Sequence, residues 1–205
     1  MPVIVVANPK GGVGKSMLST QIAGLFASQG HAVMLGDVDR QQSSRIWLGL
    51  RPPNLPEIKA WEVSRDEVVR PPKGTTHVVL DTPAGMHDKR LDDVVKIADK
   101  VIVPLQPSIF DIHATHSFLQ EISSKKRHGK VQVGIVGMRM KETTISADQL
   151  RMFLGTLDML VVGYLRDTQN YVQLAARGLT LWDVGPSRVQ RDLEQWEPLI
   201  TWLNS

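Results

Sequence analysis

The stretch Asn8–Ser16, which reads NPKGGVGKS, constrains this chain more than any other feature. It follows a short β-branched run, Val3–Ala7, of the kind found in strands buried on both faces of a parallel sheet. It precedes apolar residues at helical spacing from Leu18 to Phe26, and this pattern ends at Gly30. A strand, a glycine-rich loop and a helix in this order predict a phosphate-binding loop.

The residue types in the loop favour a nucleoside triphosphate with Mg²⁺ as the ligand. Glycines let backbone N–H groups surround phosphates, and a helix that begins near Ser16 directs its positive end at them. Lys15 would contact the β- and γ-phosphates, and the Ser16 hydroxyl would bind Mg²⁺. The pattern G-x-x-x-x-G-K-[ST] is broken by Pro9, whereas K-G-G-x-G-K-[ST] is satisfied by Lys10–Ser16. A glycine-rich turn without a ligand would leave both lysines unexplained.

Three further segments follow in order along the chain. Residues 37–42 read DVDRQQ, an apolar run ends in the DTP turn that begins at Asp81, and residues 103–108 read VPLQPS. Together with the loop, these segments resemble the ParA/MinD family of deviant-Walker ATPases, and most closely its short ParA-type partition members. Arg40 stands where that family usually has a proline.

The resemblance implies a role for each matching residue. Asp81 would hold Mg²⁺ through water, Asp37 would share that outer shell, and Asp39 would orient the attacking water. Lys10 would reach across a dimer interface to the nucleotide of the other subunit, where its charge would act as an arginine finger does. The alternative for Asp37 and Asp39 is that they only cap the turn that follows them.

The predicted site therefore has three overlapping groups. Lys10, Lys15 and Asp39 are the catalytic candidates, and Ser16, Asp37 and Asp81 are the Mg²⁺ candidates. The predicted nucleotide contacts are Lys10, Gly11, Gly12, Val13, Gly14, Lys15, Ser16 and Met17, with Met138 and Arg139 beside the adenine.

Apolar runs alternate with helical patterns along the chain, which predicts an α/β fold. We expect one doubly wound, mostly parallel sheet with helices on both faces, the fold of a P-loop NTPase. Strands are predicted at 3–7, 32–37, 77–81, 101–105, 131–137 and 159–163. Helices are predicted at 16–29, 89–98, 111–127, 146–157, 169–177 and 187–203. Two proline-rich connections, 51–56 and 70–74, bracket a short helix or strand and are too short to separate domains, so residues 1–205 should form one domain.

Composition excludes several classes of protein. The chain has no cysteine, which rules out disulfides, thiolate zinc sites and iron–sulfur clusters. No signal peptide and no run of eighteen apolar residues is visible, which predicts a cytoplasmic protein.

The net charge of +3 lies entirely in the second part of the chain. Residues 1–122 contain thirteen Lys/Arg and thirteen Asp/Glu, whereas residues 123–205 contain eleven and eight. The resemblance implies DNA binding without sequence preference through basic residues of this part, and such contacts are salt-sensitive. The candidates are Lys125, Lys126, Arg127, Arg166, Arg188 and Arg191. Solvated charges that bind nothing are the alternative.

The last predicted helix argues against membrane binding. Its polar side includes Asp192, Glu194 and Glu197, which repel anionic lipid. Leu193, Trp196, Ile200 and Leu203 recur at helical spacing and are predicted to pack on the sheet.

These features together predict an ATP-dependent dimerisation switch. The ATP-bound dimer would bind DNA on the nucleoid and position a cargo, and a cargo-bound activator protein would stimulate hydrolysis to ADP and phosphate. The alternatives are a MinD-like ATPase on a membrane and a small-molecule ligase of the dethiobiotin synthetase type.

Overall fold

The computed structural model describes residues 1–62, 71–125, 131–141, 143–157 and 159–205, without the side chains of residues 88, 109–113, 124 and 125. The strands are β1 (Val3–Val6), β2 (Val33–Asp37), β3 (Ile58–Trp61), β4 (His77–Asp81), β5 (Lys100–Leu105), β6 (Gln132–Met140) and β7 (Leu160–Arg166). The helices are α1 (Lys15–Ser28), α2 (Ser43–Leu50), α3 (Asp88–Ile97), α4 (Ile109–Lys125), α5 (Ile145–Gly155), α6 (Gln169–Ala175) and α7 (Pro186–Leu203). A 3-10 turn covers Leu181–Asp183.

The described strands form one seven-stranded sheet in the order β3-β2-β4-β1-β5-β6-β7, and every pair is parallel. This confirms the predicted doubly wound fold. The chain leaves β1 towards one edge of the sheet, returns to pair β4 with β1, and then continues towards the other edge. The carboxyl end of β1 therefore lies where the strand order reverses, which is the place where open α/β sheets bind ligands.

Both faces of the sheet are buried, which explains the continuous apolar runs. Ile4 and Val6 of β1 contact a core cluster that includes side chains of α1, α6 and α7. Val3 and Val5, which point the other way, contact a second cluster with side chains of α3, α4 and α5. Helices thus cover both faces, as predicted.

Two regions differ from the prediction. Helix α2 was not predicted. It has only eight residues, of which Ser44 and Trp47 are buried. Strands β6 and β7 run further than predicted, and their pairing is irregular near Met140, where Arg139 has a positive φ of 51°. The short element predicted between the proline-rich connections is β3, which pairs with β2.

Helix α7 packs its apolar side chains inward, as predicted. Trp196 and Leu203 are buried, and Leu193 and Ile200 are partly buried against the same cluster. The indole of Trp196 donates a hydrogen bond to the hydroxyl of Tyr171 at 2.9 Å. Within the described ranges, no helix combines the length and the apolar character that crossing a membrane requires.

Candidate nucleotide-binding site

The loop between β1 and α1 is shaped by a buried asparagine and by two glycines with positive φ. Asn8, which is buried, accepts the backbone N–H of Lys10 at 2.8 Å and donates to the carbonyl of Pro104 at 2.7 Å. Gly12 and Gly14 have φ values of 74° and 102°, in the left-handed region that side chains disfavour. A Cβ on Gly14 would also lie 2.9 Å from the Cε of Met138. The loop therefore needs glycine at both positions.

Lys15 lies inside this loop rather than in solvent. It is 7% exposed, and its Nζ donates a hydrogen bond to the carbonyl of Lys10 at 2.7 Å. Burial lowers the pKa of Lys15, and the carboxylates of Asp81 and Asp39 partly offset that effect. The loop thus holds a cation at the amino end of α1, where backbone N–H groups are unpaired.

A cleft of about 700 Å³ opens above the loop. One wall contains six of the predicted nucleotide contacts, namely Gly11, Gly12, Gly14, Lys15, Ser16 and Met17. The other walls come from the β2–α2 loop, which brings Asp39 and Arg40, from the turn after β4, and from Arg90 of α3. Four predicted contacts, Lys10, Val13, Met138 and Arg139, are not in the described lining, and Val13 is 1% exposed.

Asp81 ends β4, just before the turn that lines this cleft, and is 1% exposed. Its Oδ2 accepts a hydrogen bond from the hydroxyl of Ser44 at 2.6 Å, whereas its Oδ1 has no hydrogen-bond partner among the described residues. Burial raises the pKa of Asp81 to about 6, although the nearby hydroxyls of Ser16 and Ser44 lower it. The Ser16 hydroxyl therefore lies close to this carboxylate without meeting the geometry of a hydrogen bond to Oδ1.

Asp37 and Asp39 shape the β2–α2 loop. Asp37 accepts backbone N–H groups of Asp39 at 3.0 Å, of Ser44 at 2.9 Å and of Arg45 at 3.2 Å. Asp39 accepts the N–H of Gln41 at 3.0 Å. Burial raises the pKa of Asp37, and these backbone hydrogen bonds act in the opposite direction. The capping described as an alternative is thus present at both residues, and their roles with Mg²⁺ and water stay predictions.

The protein oxygens near the loop can bind Mg²⁺ only if a nucleotide supplies further ligands. Within the described ranges, no three His, Asp or Glu side chains come together to hold a metal ion. Mg²⁺ prefers oxygen ligands and is often held by one or two protein groups plus phosphates and water. Ser16 offers a hydroxyl, and Asp81 offers a buried oxygen that lacks the partner such atoms normally have. These two residues therefore fit the ion, whereas Asp37 is already engaged with the backbone.

The predicted adenine contacts lie to one side of the cleft. Met138 is 2% exposed and packs beneath Gly14. Arg139 lines a second, smaller cleft of about 260 Å³ together with Gln106, Ser108 and Asp167. The two clefts are connected by Gln106, whose Nε2 donates to the carbonyl of Gly12 at 2.8 Å.

Three residues of the site were missed by the sequence interpretation: Asn8, Ser44 and Gln106. Gln106 lies inside the VPLQPS segment, and Asn8 begins the loop. Both could have been identified as polar side chains able to form hydrogen bonds with the backbone of the glycine-rich loop. Ser44 gave no signal, because its partner Asp81 is 37 positions away in the chain.

The DNA-binding candidates are only partly described. Lys125 ends α4, and its side chain lies outside the described residues, as do Lys126 and Arg127. Arg166 donates to the buried Asp192 at 2.5 Å, so a carboxylate already balances its charge. The remaining two candidates, Arg188 and Arg191, are exposed on α7.

The family model described as the CobQ/CobB/MinD/ParA nucleotide binding domain matches residues 4–192. The chain belongs to this family. The resemblance stated from the sequence is thereby confirmed, and a bound nucleotide is the ligand that the family description leads us to expect in the cleft.

Two relatives are similar in sequence to part of this member of the CobQ/CobB/MinD/ParA family. The maintenance of carboxysome distribution protein A of Gloeobacter kilaueensis is 33% identical over 112 residues, which cover 54% of this chain and 51% of that protein. Protein ParA of Rhizobium radiobacter is 29% identical over 131 residues, which cover 62% of this chain and 58% of ParA. The matched part thus spans only about half of each relative's length.

A solved structure shows the same fold. A plasmid partition protein of Borrelia burgdorferi, crystallised with AMPPNP, superimposes with a TM-score of 0.75 over 98% of both chains at 15% identity. At that identity the likeness concerns the fold alone.

Proposed function

We propose that this chain is an ATPase that dimerises when it binds ATP and Mg²⁺, and that it acts as a positioning switch. The observation that carries the proposal is the placement of the two lysines of the loop. Lys15 is buried in the cleft, whereas Lys10 is not part of the described cleft lining. Lys15 would thus serve the nucleotide of its own subunit, and Lys10 would reach the nucleotide of a second copy, as the resemblance to deviant-Walker ATPases implies.

The residues of the cleft would divide the work of hydrolysis. The backbone N–H groups of the loop and the ammonium of Lys15 would bind the phosphates and stabilise charge on the transferred phosphoryl group. Asp39, which lines the cleft, would orient the water that attacks the γ-phosphorus while the bond to the β-phosphate oxygen breaks, giving ADP and phosphate. Ser16 and, through water, Asp81 would hold Mg²⁺, which would supply positive charge to offset that of the phosphates.

The base would lie in the smaller cleft beside Arg139. This cleft offers hydrogen-bonding groups from Gln106, Ser108 and Asp167, and it adjoins the loop through the contact of Gln106 with Gly12. Met138, which packs against Gly14, would support the loop next to the base and would not contact the base itself.

DNA would be the surface on which the switch acts, and a cargo-bound protein would stimulate hydrolysis. Support comes from the excess of positive charge in residues 123–205 and from the exposed Arg188 and Arg191 on α7. One relative is named for carboxysome distribution and the solved structure for plasmid partition, and we propose a comparable positioning task here, in the cytoplasm on the nucleoid. The inward packing of α7 gives no support to the membrane alternative.

Light scattering coupled to gel filtration tests the switch. We expect twice the monomer mass for the wild type with ATP and Mg²⁺, and monomer mass with ADP. The Lys10→Ala variant should stay monomeric with ATP, whereas Lys73→Ala, a control at an exposed lysine far from the cleft, should dimerise. Equal mass in all four samples would refute the switch.

Mobility shifts with DNA test the second part of the proposal. ATP-dependent binding should weaken steeply with salt, because it depends on phosphate contacts. Replacing Arg188 and Arg191 by alanine should weaken it without preventing dimerisation. Binding that is indifferent to salt and to these two residues would contradict the proposed surface.

A further inference from the structure

We infer that Ser44 is a positioning residue for Mg²⁺, because its hydroxyl fixes the orientation in which the Asp81 carboxylate is presented to the ion. This inference rests on the proposed function of the same cleft. It concerns a residue that lies outside the loop motif and outside the aspartates named above.

Ser44 bridges the ends of two neighbouring strands. It is fully buried in the first turn of α2. Its backbone N–H donates to Asp37 Oδ2 at 2.9 Å, and its hydroxyl donates to Asp81 Oδ2 at 2.6 Å. Asp37 and Asp81 are directly paired where β2 and β4 end. One residue therefore supplies a donor to each of two carboxylates that lie side by side and repel each other.

The hydrogen bond from Ser44 makes the two oxygens of Asp81 unequal. Oδ2 is occupied by the hydroxyl, and Oδ1 is left buried and without a partner among the described residues. The two oxygens of an ionised carboxylate are equivalent, so a half-turn would only exchange them, but any smaller rotation would weaken the contact with Ser44. The contact therefore fixes the orientation of the carboxylate, whose unoccupied oxygen can coordinate a cation or accept a hydrogen bond from a water bound to it.

The contact matters for Mg²⁺ because this ion demands nearly ideal octahedral geometry. Groups that orient a ligand without touching the metal typically contribute 10–100-fold to metal affinity. Binding of the nucleotide itself uses the loop and Lys15, neither of which contacts the Ser44 hydroxyl. Loss of this hydroxyl should therefore affect the ion much more than the nucleotide.

The Ser44→Ala substitution removes only the side-chain hydroxyl. The backbone N–H that donates to Asp37 remains, so the start of α2 keeps its cap. Ser19 supplies a matched control, because it is also fully buried and its hydroxyl has no hydrogen-bond partner in the described part of the chain. Ser19→Ala thus deletes a buried hydroxyl without deleting a contact to Asp81.

The experiment measures binding of a fluorescent ATP analogue at increasing MgCl₂, starting from EDTA. For Ser44→Ala we expect the half-saturating Mg²⁺ concentration to rise about 10–100-fold, with analogue affinity in EDTA within about twofold of the wild type. Ser19→Ala should match the wild type in both measurements. Ser44→Thr, which keeps the hydroxyl, should restore most of the Mg²⁺ dependence.

The possible failures are distinct. An unchanged Mg²⁺ dependence for Ser44→Ala would overturn the inference, and so would an equal loss of affinity in EDTA and in MgCl₂, which would indicate a purely structural role. A wild type that binds the analogue under neither condition would instead refute the proposed function.

Discussion

Two arginines in or next to α2 form ion pairs, one buried and one exposed. Comparing substitutions of these two arginines tests which ion pair stabilises the helix. Arg51, the residue after α2, donates to both carboxylate oxygens of Asp183 at 2.9 and 3.0 Å, and the two side chains are 5% and 2% exposed. Arg45 pairs with Glu62 at 3.1 Å, and these side chains are 52% and 73% exposed. We consider replacing each arginine by methionine.

The expected losses of stability differ severalfold. Arg51→Met would leave the buried Asp183 without its counter-charge, and removing one partner of a buried pair costs about 3–5 kcal/mol. For a chain of this length that corresponds to a fall in Tm of about 6–20 °C. Arg45→Met should cost less than about 1 kcal/mol, because an exposed pair contributes little.

The pH dependence gives a second readout for the same pair. Burial alone would raise the pKa of Asp183, but hydrogen bonds from Arg51 and Thr180 outweigh it and lower the pKa. In the wild type, the stabilisation from this carboxylate is therefore lost as pH falls through the lowered pKa. In Arg51→Met, Asp183 keeps the hydrogen bonds from Thr180 but loses those from Arg51, so its pKa should lie above that of the wild type. Uptake of a proton as pH falls then relieves the cost of the buried charge. The difference in stability between wild type and variant should thus shrink at acidic pH.

Urea unfolding followed by tryptophan fluorescence measures both effects, since the chain has five tryptophans. Wild type, Arg51→Met and Arg45→Met are compared without nucleotide at pH 7 and at pH 5. Equal losses for the two variants, or a loss for Arg51→Met that grows at pH 5, would refute the assignment of the buried pair as the anchor of α2.

Three further predictions concern other parts of the molecule. Burial lowers the pKa of His77 to about 4, below its ordinary value near 6.5. As the pH falls from 6.5 to 4, the unfolded chain therefore binds a proton before the folded protein does, and the free energy of unfolding should fall. His77→Gln should reduce this pH dependence in urea titrations. Gly24→Ala would place a Cβ 2.3 Å from Cγ2 of Thr180, and overpacking of this kind costs about 1–3 kcal/mol, measurable by the same unfolding assay. Arg40 and Arg90 both line the cleft, and we expect each to contact the terminal phosphate of ATP. Arg40→Ala and Arg90→Ala should then each weaken ATP binding about tenfold more than ADP binding; equal weakening of both nucleotides in fluorescence titrations would contradict such a contact.

The parts that could be predicted from the sequence are those whose signals are local. Val3–Val6 is apolar on both faces, and the glycines that follow it are required by positive φ at Gly12 and Gly14. Such features depend on a residue and its neighbours in the chain, so the strand, the loop and α1 were predicted at nearly their observed bounds. The same is true of α7, whose buried residues recur at helical spacing.

The parts that were missed depend on contacts between distant segments. Helix α2 is short and mostly exposed, and it is held at its ends by Ser44 with Asp81 and by Arg51 with Asp183, pairs separated by 37 and 132 positions. Neither pair has a periodic signature. The contacts that hold this helix at its ends cannot be read from apolar spacing, although the loop before the helix and its first residue line the candidate site.

The two aspartates proposed for Mg²⁺ show how the structure separates residues that the sequence treats alike. Both end adjacent parallel strands and are paired in register, so each lies beside the cleft. Asp37 accepts three backbone N–H groups and stabilises the start of α2, whereas Asp81 accepts one hydroxyl and keeps a buried oxygen without a partner among the described residues. A buried acceptor without a partner is costly in the free protein, and that cost is relieved when a ligand supplies the missing interaction. Of the two, Asp81 therefore has the greater gain from a bound cation, and Asp37→Asn should reduce the stability of α2 more than it reduces the affinity for Mg²⁺.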